Sequence, residues 1–323
     1  MLRYLVRRVL GAIPVLVVAS IIVFALVRYA YDPLAKFRRQ KDSARILAEQ
    51  RKALGLDDPV IVQWWHWFTD FLRGDMGVSS RTHDQVSTMV GRALWPSLQL
   101  LFWATIVSVT VALLLSVYSA VKQYSVGDYV FTGLAYIGIA MPIFWFALMA
   151  IGFLVTAPVV WFHLDEPIFY SIGLHSEGVS GINLDYFRHL ALPVLTLTIT
   201  SVAAWSRFGR ASMLEVLHAD YVRAARAKGV PRRKVVFKHA LRNALIPFVT
   251  VTVLDTAALI GGVIITEQIF SISGMGQAFL DALSAGDAPF LLAWFVISAV
   301  AVIAFNLLAD VIYVILDPRI RLT

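Results

Sequence analysis

The chain has 323 residues, 59% hydrophobic and 15% charged, with a formal net charge of +7 and a mean hydropathy of +0.74. Soluble domains carry about 25% charged residues, so this composition belongs in a membrane, and the positive charge reflects topology and lipid headgroups. No interleaved basic and aromatic motif points to nucleic acid. The absence of cysteine excludes disulfides, thiol catalysis and cysteine metal sites.

Arg3, Arg7 and Arg8 precede an uncharged run, 9–27. The run exceeds the usual 7–15 residues of a signal peptide and has no small-x-small cleavage site before Asp32, so it reads as a first transmembrane helix (1–29 with its basic tip). Pro14 should kink it or sit near its first turns. Residues 30–94 are polar, with ten basic and eight acidic residues between Asp32 and Arg92, and read as an external segment. Within it Trp64, Trp67, Phe68 and Phe71 recur at helical spacing, as either an interfacial aromatic stripe or a small soluble core.

Residues 95–315 read as a five-helix core. Its spans are placed at 93–121, at 130–155 ending by Pro158, at 189–206 starting near Pro193, at 243–266 and at 288–309. The link Lys122–Asp128 and a loop at 207–243 face the cytoplasm. Segments 156–188 and 266–279 are external, and the tail 316–323 is cytoplasmic. With six spans the cytoplasmic pieces hold sixteen Lys and Arg and the two short external loops only Arg188, the sense required by the positive-inside rule. The fold class is therefore an all-α membrane protein with six transmembrane helices and both termini in the cytoplasm.

The loop at 207–243 is the most informative stretch. It carries ten Lys or Arg residues from Arg207 to Arg242. Asp220 is read as an N-cap, Gly229 as the left-handed residue after the last turn, and Pro231 as the opening of the next helix. The spacing predicts a helix over Tyr221–Lys228, with Tyr221, Ala224, Ala225 and Lys228 on one side and Arg223 and Arg226 on the other. A short, capped, basic helix with small residues between two spans is a docking element.

The strings YVRAARAKG and HALRNALIP in this loop resemble the cytoplasmic EAA loop of ABC importer membrane subunits, and specifically the dipeptide and oligopeptide permeases. LGLDDP (54–59), RGDMGVS (73–79), MPIFW (141–145), TEQIFSISGMGQAF (266–279) and DPRIR (317–321) extend the resemblance along nearly the whole chain. Two departures from the general loop, Arg223 before the paired alanines and Leu241-Arg242 with the proline delayed to Pro247, are typical of the peptide branch. The resemblance implies that Asp220, Tyr221, Arg223, Ala224, Ala225, Arg226, Lys228 and Gly229 form a coupling helix that docks on an ATPase. It also implies a second, similar permease subunit, two ATPase subunits or a fused one, an external substrate-binding protein and a bacterial inner membrane. Nickel or glutathione import is the alternative within the family.

The phosphate-binding pattern G-x-x-x-x-G-K-[ST] does not occur in the sequence, so ATP and Mg are expected on partner subunits, with no cofactor on this chain and no enzymatic role. Neither HExxH nor GxSxG occurs. Asp255 interrupts the fifth span. An ionisable group there costs about 2.5–3.5 kcal/mol on insertion scales and faces a cavity or a partner. It reads either as a wall of the translocation pathway or as a structural pair. Asp310, near the end of the last span, reads as reaching the interface or pairing with a basic residue. A secondary transporter without ATPase partners would lean on more intramembrane charge than one Asp.

Overall fold

The computed structural model describes residues 2–31, 45, 48, 49, 51, 52 and 55–316. The tail at 317–323 and most of the segment from 32 to 54 lie outside the described residues. The described chain is helical, with one isolated antiparallel bridge between Val78 and Gln85. Its elements are α1 (Leu2–Ala30), α2 (Val60–Leu72), α3 (Val86–Val121), α4 (Val126–Ala140), α5 (Ile143–Phe162), α6 (Leu184–Leu217), α7 (Asp220–Ala227) and α8 (Arg232–Lys234). A π-helical turn at Val235–Ala240 leads into α9 (Leu241–Ile269), and α10 (Met275–Ala285) and α11 (Ala288–Leu316) follow. Among the described residues five helices are long and apolar enough to cross a membrane: Val6–Ala30 within α1, then α3, α5 and α6, and Ala288–Ile312 within α11. α9 has 29 residues and contains the predicted span 243–266.

The chain divides into two compact units. One comprises Pro96–Gln277 and Ala304–Thr323. Its centre is the packing of α6 on α9 and on α4, where small residues let backbones approach. A Cβ on Gly209 would lie 2.8 Å from the Ser116 Cβ and 2.9 Å from a Phe248 ring carbon. A Cβ on Gly138 would lie 3.1 Å from the Ala203 methyl. Leu100, Ala104, Leu197 and Phe270 form the fully buried centre of one core cluster, and Trp205, Ala112 and Phe248 form another.

The other unit comprises Leu2–Trp95 and Ala278–Ile303. Here the aromatic stripe on α2 packs against α1. The buried Trp64 indole donates to the Ser20 hydroxyl at 3.1 Å, and Phe24 and Trp67 rings lie 5.7 Å apart. The RGDMGVS segment is fixed by Asp287, a fully buried carboxylate that accepts from the Ser79 hydroxyl and, at 3.0 Å, from the Ser80 N–H.

Three expected boundaries are corrected. The span placed at 130–155 is two helices, because Met141 precedes Pro142 and takes an extended conformation (φ −84°, ψ 121°), as residues before proline do. Pro158 does not end α5. A π-helical turn at Gly152–Thr156 comes just ahead of it, so its missing N–H falls in the first turn of the following helical piece, and left-handed His163 ends the helix. The fourth span starts at Leu184, capped by the Asn183 side chain on the Tyr186 N–H at 2.9 Å, and runs through Pro193 to Leu217. Residues 207–217, read as loop, are therefore helix.

Candidate functional site: the basic loop and its supports

α7 is short because its punctuation is close. Ala219, extended at ψ 147°, stands at the N-cap without a side-chain cap. Asp220 is thus the first helical residue and not the cap, a correction of the sequence reading. Its carboxylate serves the positive end of the helix and pairs with Arg223 one turn on. At the other end Gly229 adopts φ +75°, as expected, and its N–H donates to the Arg226 carbonyl at 3.0 Å while Val230 donates to Ala225 at 3.3 Å. Lys228 is the C-cap residue.

One residue anchors the helix. Val222 is fully buried where α7 packs on the π-helical turn and on α6. The Asn243 amide donates to the Tyr221 hydroxyl at 2.7 Å, and Arg226 donates to the Leu217 carbonyl at 3.3 Å. Ala225, one turn on from Val222, is half-buried. Tyr221, Arg223, Ala224, Arg226, Ala227, Lys228 and Gly229 are exposed. The structure therefore separates the two alanines: Ala224 stands on the free surface and Ala225 turns partly toward its own chain.

Below α7, a cluster of Ala120, Met213, Leu217, Val236, Ala240 and Ala244 holds the ends of α3 and α6 against the π-helical turn and the start of α9. Ser212 donates to the Ala244 carbonyl at 3.0 Å and Arg232 to the Val121 carbonyl at 3.1 Å. Arg207 stacks on the Tyr136 ring, 4.4 Å from its centroid.

A buried ion pair between α4 and α6 was not foreseen from the sequence. Arg210 forks onto Asp128, Nε to Oδ1 at 2.9 Å and Nη2 to Oδ2 at 2.8 Å. Asp128 is 2% exposed and also accepts from the Tyr124 N–H at 3.0 Å, while its own N–H donates to the Ser125 hydroxyl at 3.3 Å. The Arg210 hydrogen bonds hold the Asp128 carboxyl below the usual carboxylate range, against the opposing pull of burial. Ser125-x-x-Asp128 has a capping-box spacing, which marks the start of α4 but not the partner on α6.

A second unforeseen network fixes the family-like string TEQIFSISGMGQAF. Glu267 is fully buried. Its carboxylate accepts from the Ser97 hydroxyl and from the N–H groups of Gly276 and Gln277 at 2.7 and 3.1 Å, at the start of α10. A Cβ on Gly274 would lie 2.3 Å from the Glu267 carboxyl carbon, so only glycine leaves the carboxylate its place.

Asp255 lies on α9 and accepts from the buried Trp205 indole N–H at 3.0 Å, yet the residue itself is exposed on this chain. It has a structural partner and a free side at once. Asp310 is buried near the end of α11. Among the described residues no group of three or more His, Asp or Glu is placed to hold a metal ion.

Residues 112–322 match the family described as binding-protein-dependent transport system inner membrane component, and residues 1–93 match its N-terminal region. The chain belongs to this family. This transport subunit is 36% identical to the oligopeptide transport system permease protein AppB of Bacillus subtilis, over 99% of this chain and 100% of that one. It is 34% identical to the dipeptide transport system permease protein DppB of Alkalihalophilus pseudofirmus, over 99% of this chain and all of that one. It is also 34% identical to the glutathione transport system permease protein GsiC of Salmonella choleraesuis, over 99% of each chain. Among solved structures, an amino acid ABC transporter chain crystallised with histidines superposes with a TM-score of 0.51 at 14% identity, covering 70% of this chain and 94% of that one. That likeness concerns the fold alone. The chain is thus a multi-pass ABC transporter permease, a transport subunit and not an enzyme.

Proposed function

We propose that this permease forms half of the translocation pathway of an ATP-driven importer of di- and oligopeptides. The observation that carries the reading is full-length similarity to oligopeptide and dipeptide permeases together with an exposed basic helix, α7, held by a single buried residue. In this reading α7 docks on a separate ATPase with Ala224 at the contact. A second permease subunit completes the pathway, and an external binding protein delivers substrate. Both termini and the loop at 207–243 lie in the cytoplasm in this reading, which the sixteen-to-one distribution of Lys and Arg supports. ATP and Mg bind the ATPase subunits.

The mechanism is alternating access. ATP-driven closure of the ATPases draws the two coupling helices together and opens the pathway outward, and hydrolysis resets it. Transmission requires a stiff connection, since a switch moves only by the difference in affinity between its states. The cluster around Met213 and Val236 and the Asp128–Arg210 pair supply that stiffness, joining the loop to α3, α4, α6 and α9. Asp255, exposed on one side, lines the pathway and offers a carboxylate to a peptide amine or amide.

The test is uptake of a labelled dipeptide and tripeptide by vesicles containing the whole importer, with and without internal ATP. ATP-dependent accumulation of either supports the reading. Accumulation of glutathione alone moves the chain to the second reading, which the glutathione permease relative favours.

A further inference from the structure

The segment that follows α7 contains a second exposed feature. A concavity is lined by Pro231, Arg233, Lys234, Phe237 and Lys238. Arg233 and Phe237, and likewise Lys234 and Lys238, are four residues apart and so adjacent on the helix surface. All are exposed, and no Asp or Glu occurs in the sequence between Asp220 and Asp255. Three cations therefore surround one site with an exposed phenyl ring, Phe237 at 56% exposure. The backbone beneath is the π-helical turn Val235–Ala240, a rare conformation that is frequent at functional sites.

Two markers place the concavity at the membrane boundary. The neighbouring Arg232 is bonded to the carbonyl of Val121, the last residue of α3, which is uncharged from Ala93 onward. Phe237 precedes the predicted span at 243 by six residues, about 9 Å of helix. Cations beside an aromatic ring at that level match a phosphate group attached to acyl chains: charge meets charge, and the ring meets the first methylenes.

We propose that Arg233, Lys234, Lys238 and Phe237 form a binding site for the phosphate headgroup of an anionic phospholipid, bound beside the coupling helix. The site does not depend on which substrate the importer carries.

The experiment uses the full chain purified from vesicles of phosphatidylcholine with or without phosphatidylglycerol, and native mass spectrometry counts the lipid retained. Wild type keeps phosphatidylglycerol in preference to phosphatidylcholine. The variant R233Q/K234Q/K238Q loses that preference by at least about tenfold, since each cation near an anionic surface contributes severalfold. A control with equal charge removed elsewhere, K52Q/R73Q/R92Q, keeps it. Phe237→Ala weakens phospholipid retention but not binding of inorganic phosphate, which separates a lipid from a free anion. Retention unchanged in the triple variant overturns the proposal. So does a triple variant that keeps its lipid but loses crosslinks to the ATPase, because the patch then belongs to a protein contact.

Discussion

Removing Arg210 tests whether the loop is braced by a buried ion pair. Asp128 is 2% exposed and makes two short hydrogen bonds to the guanidinium. Arg210→Gln leaves a buried carboxylate without its counter-charge, held by the Tyr124 N–H and the Ser119 hydroxyl. Breaking one side of a buried pair costs about 3–5 kcal/mol. Asp128→Asn should cost less, because the Arg210 side chain is 28% exposed and can reach water. The double variant R210Q/D128N should recover part of the loss, giving a coupling of about 1–3 kcal/mol between the two sites. Denaturant unfolding of the purified chain in detergent measures all four corners of the cycle. The pH dependence has a defined sign. The folded carboxyl titrates below its unfolded value of about 3.9, so the contribution is complete above that pH and is lost only as pH falls through the depressed folded value. Stability should therefore show no dependence on this pair between pH 5 and pH 8. Additive single variants, or an Arg210→Gln protein within about 0.5 kcal/mol of wild type, would refute the reasoning.

Asp255→Ala should destabilise by about 1–3 kcal/mol, because the buried Trp205 N–H loses its acceptor, whereas Asp255→Asn keeps an acceptor and stability but lowers uptake. Equal uptake by the Asn variant would remove Asp255 from the pathway. Gly274→Ala should unfold the turn before α10, since its Cβ would overlap the Glu267 carboxyl; normal accumulation of the variant in membranes would contradict the packing described. Gly229→Ala meets open space and strains only φ, so its cost should be about 1 kcal/mol in unfolding measurements and not more. Cysteines at Glu177 and Lys228 in this cysteine-free chain should react with an impermeant reagent from opposite sides of sealed cells; labelling of both from outside would break the proposed topology.

Much of this was legible in the sequence, and the rest failed for identifiable reasons. Uncharged runs located the long helices because a membrane tolerates little else. They could not locate helix ends: charge at 207–217 looked like loop, yet α6 continues as helix into this basic stretch. Proline was misread twice. Pro158 lies inside α5 because a π turn comes just ahead of it, while Pro142, taken as interior, forces the break. Gly229 was readable because only its φ matters. Val222 was not, since a single valine in a basic octet has no periodicity to mark it as the anchor. Asp128 and Glu267 were invisible as partners because each bonds across more than eighty residues.

In the proposed mechanism α7 couples this subunit to its ATPase through the face that carries Ala224. The most direct measurement is a set of single cysteines at Val222, Ala224 and Lys228 in the assembled importer, crosslinked to cysteines placed along the ATPase surface. Crosslinks that change with ATP are expected from Ala224→Cys and Lys228→Cys, none from the buried Val222→Cys, and loss of ATP-dependent uptake in Ala224→Trp with assembly of the other subunits retained. Full uptake in Ala224→Trp, with no crosslink from either exposed position, would contradict it.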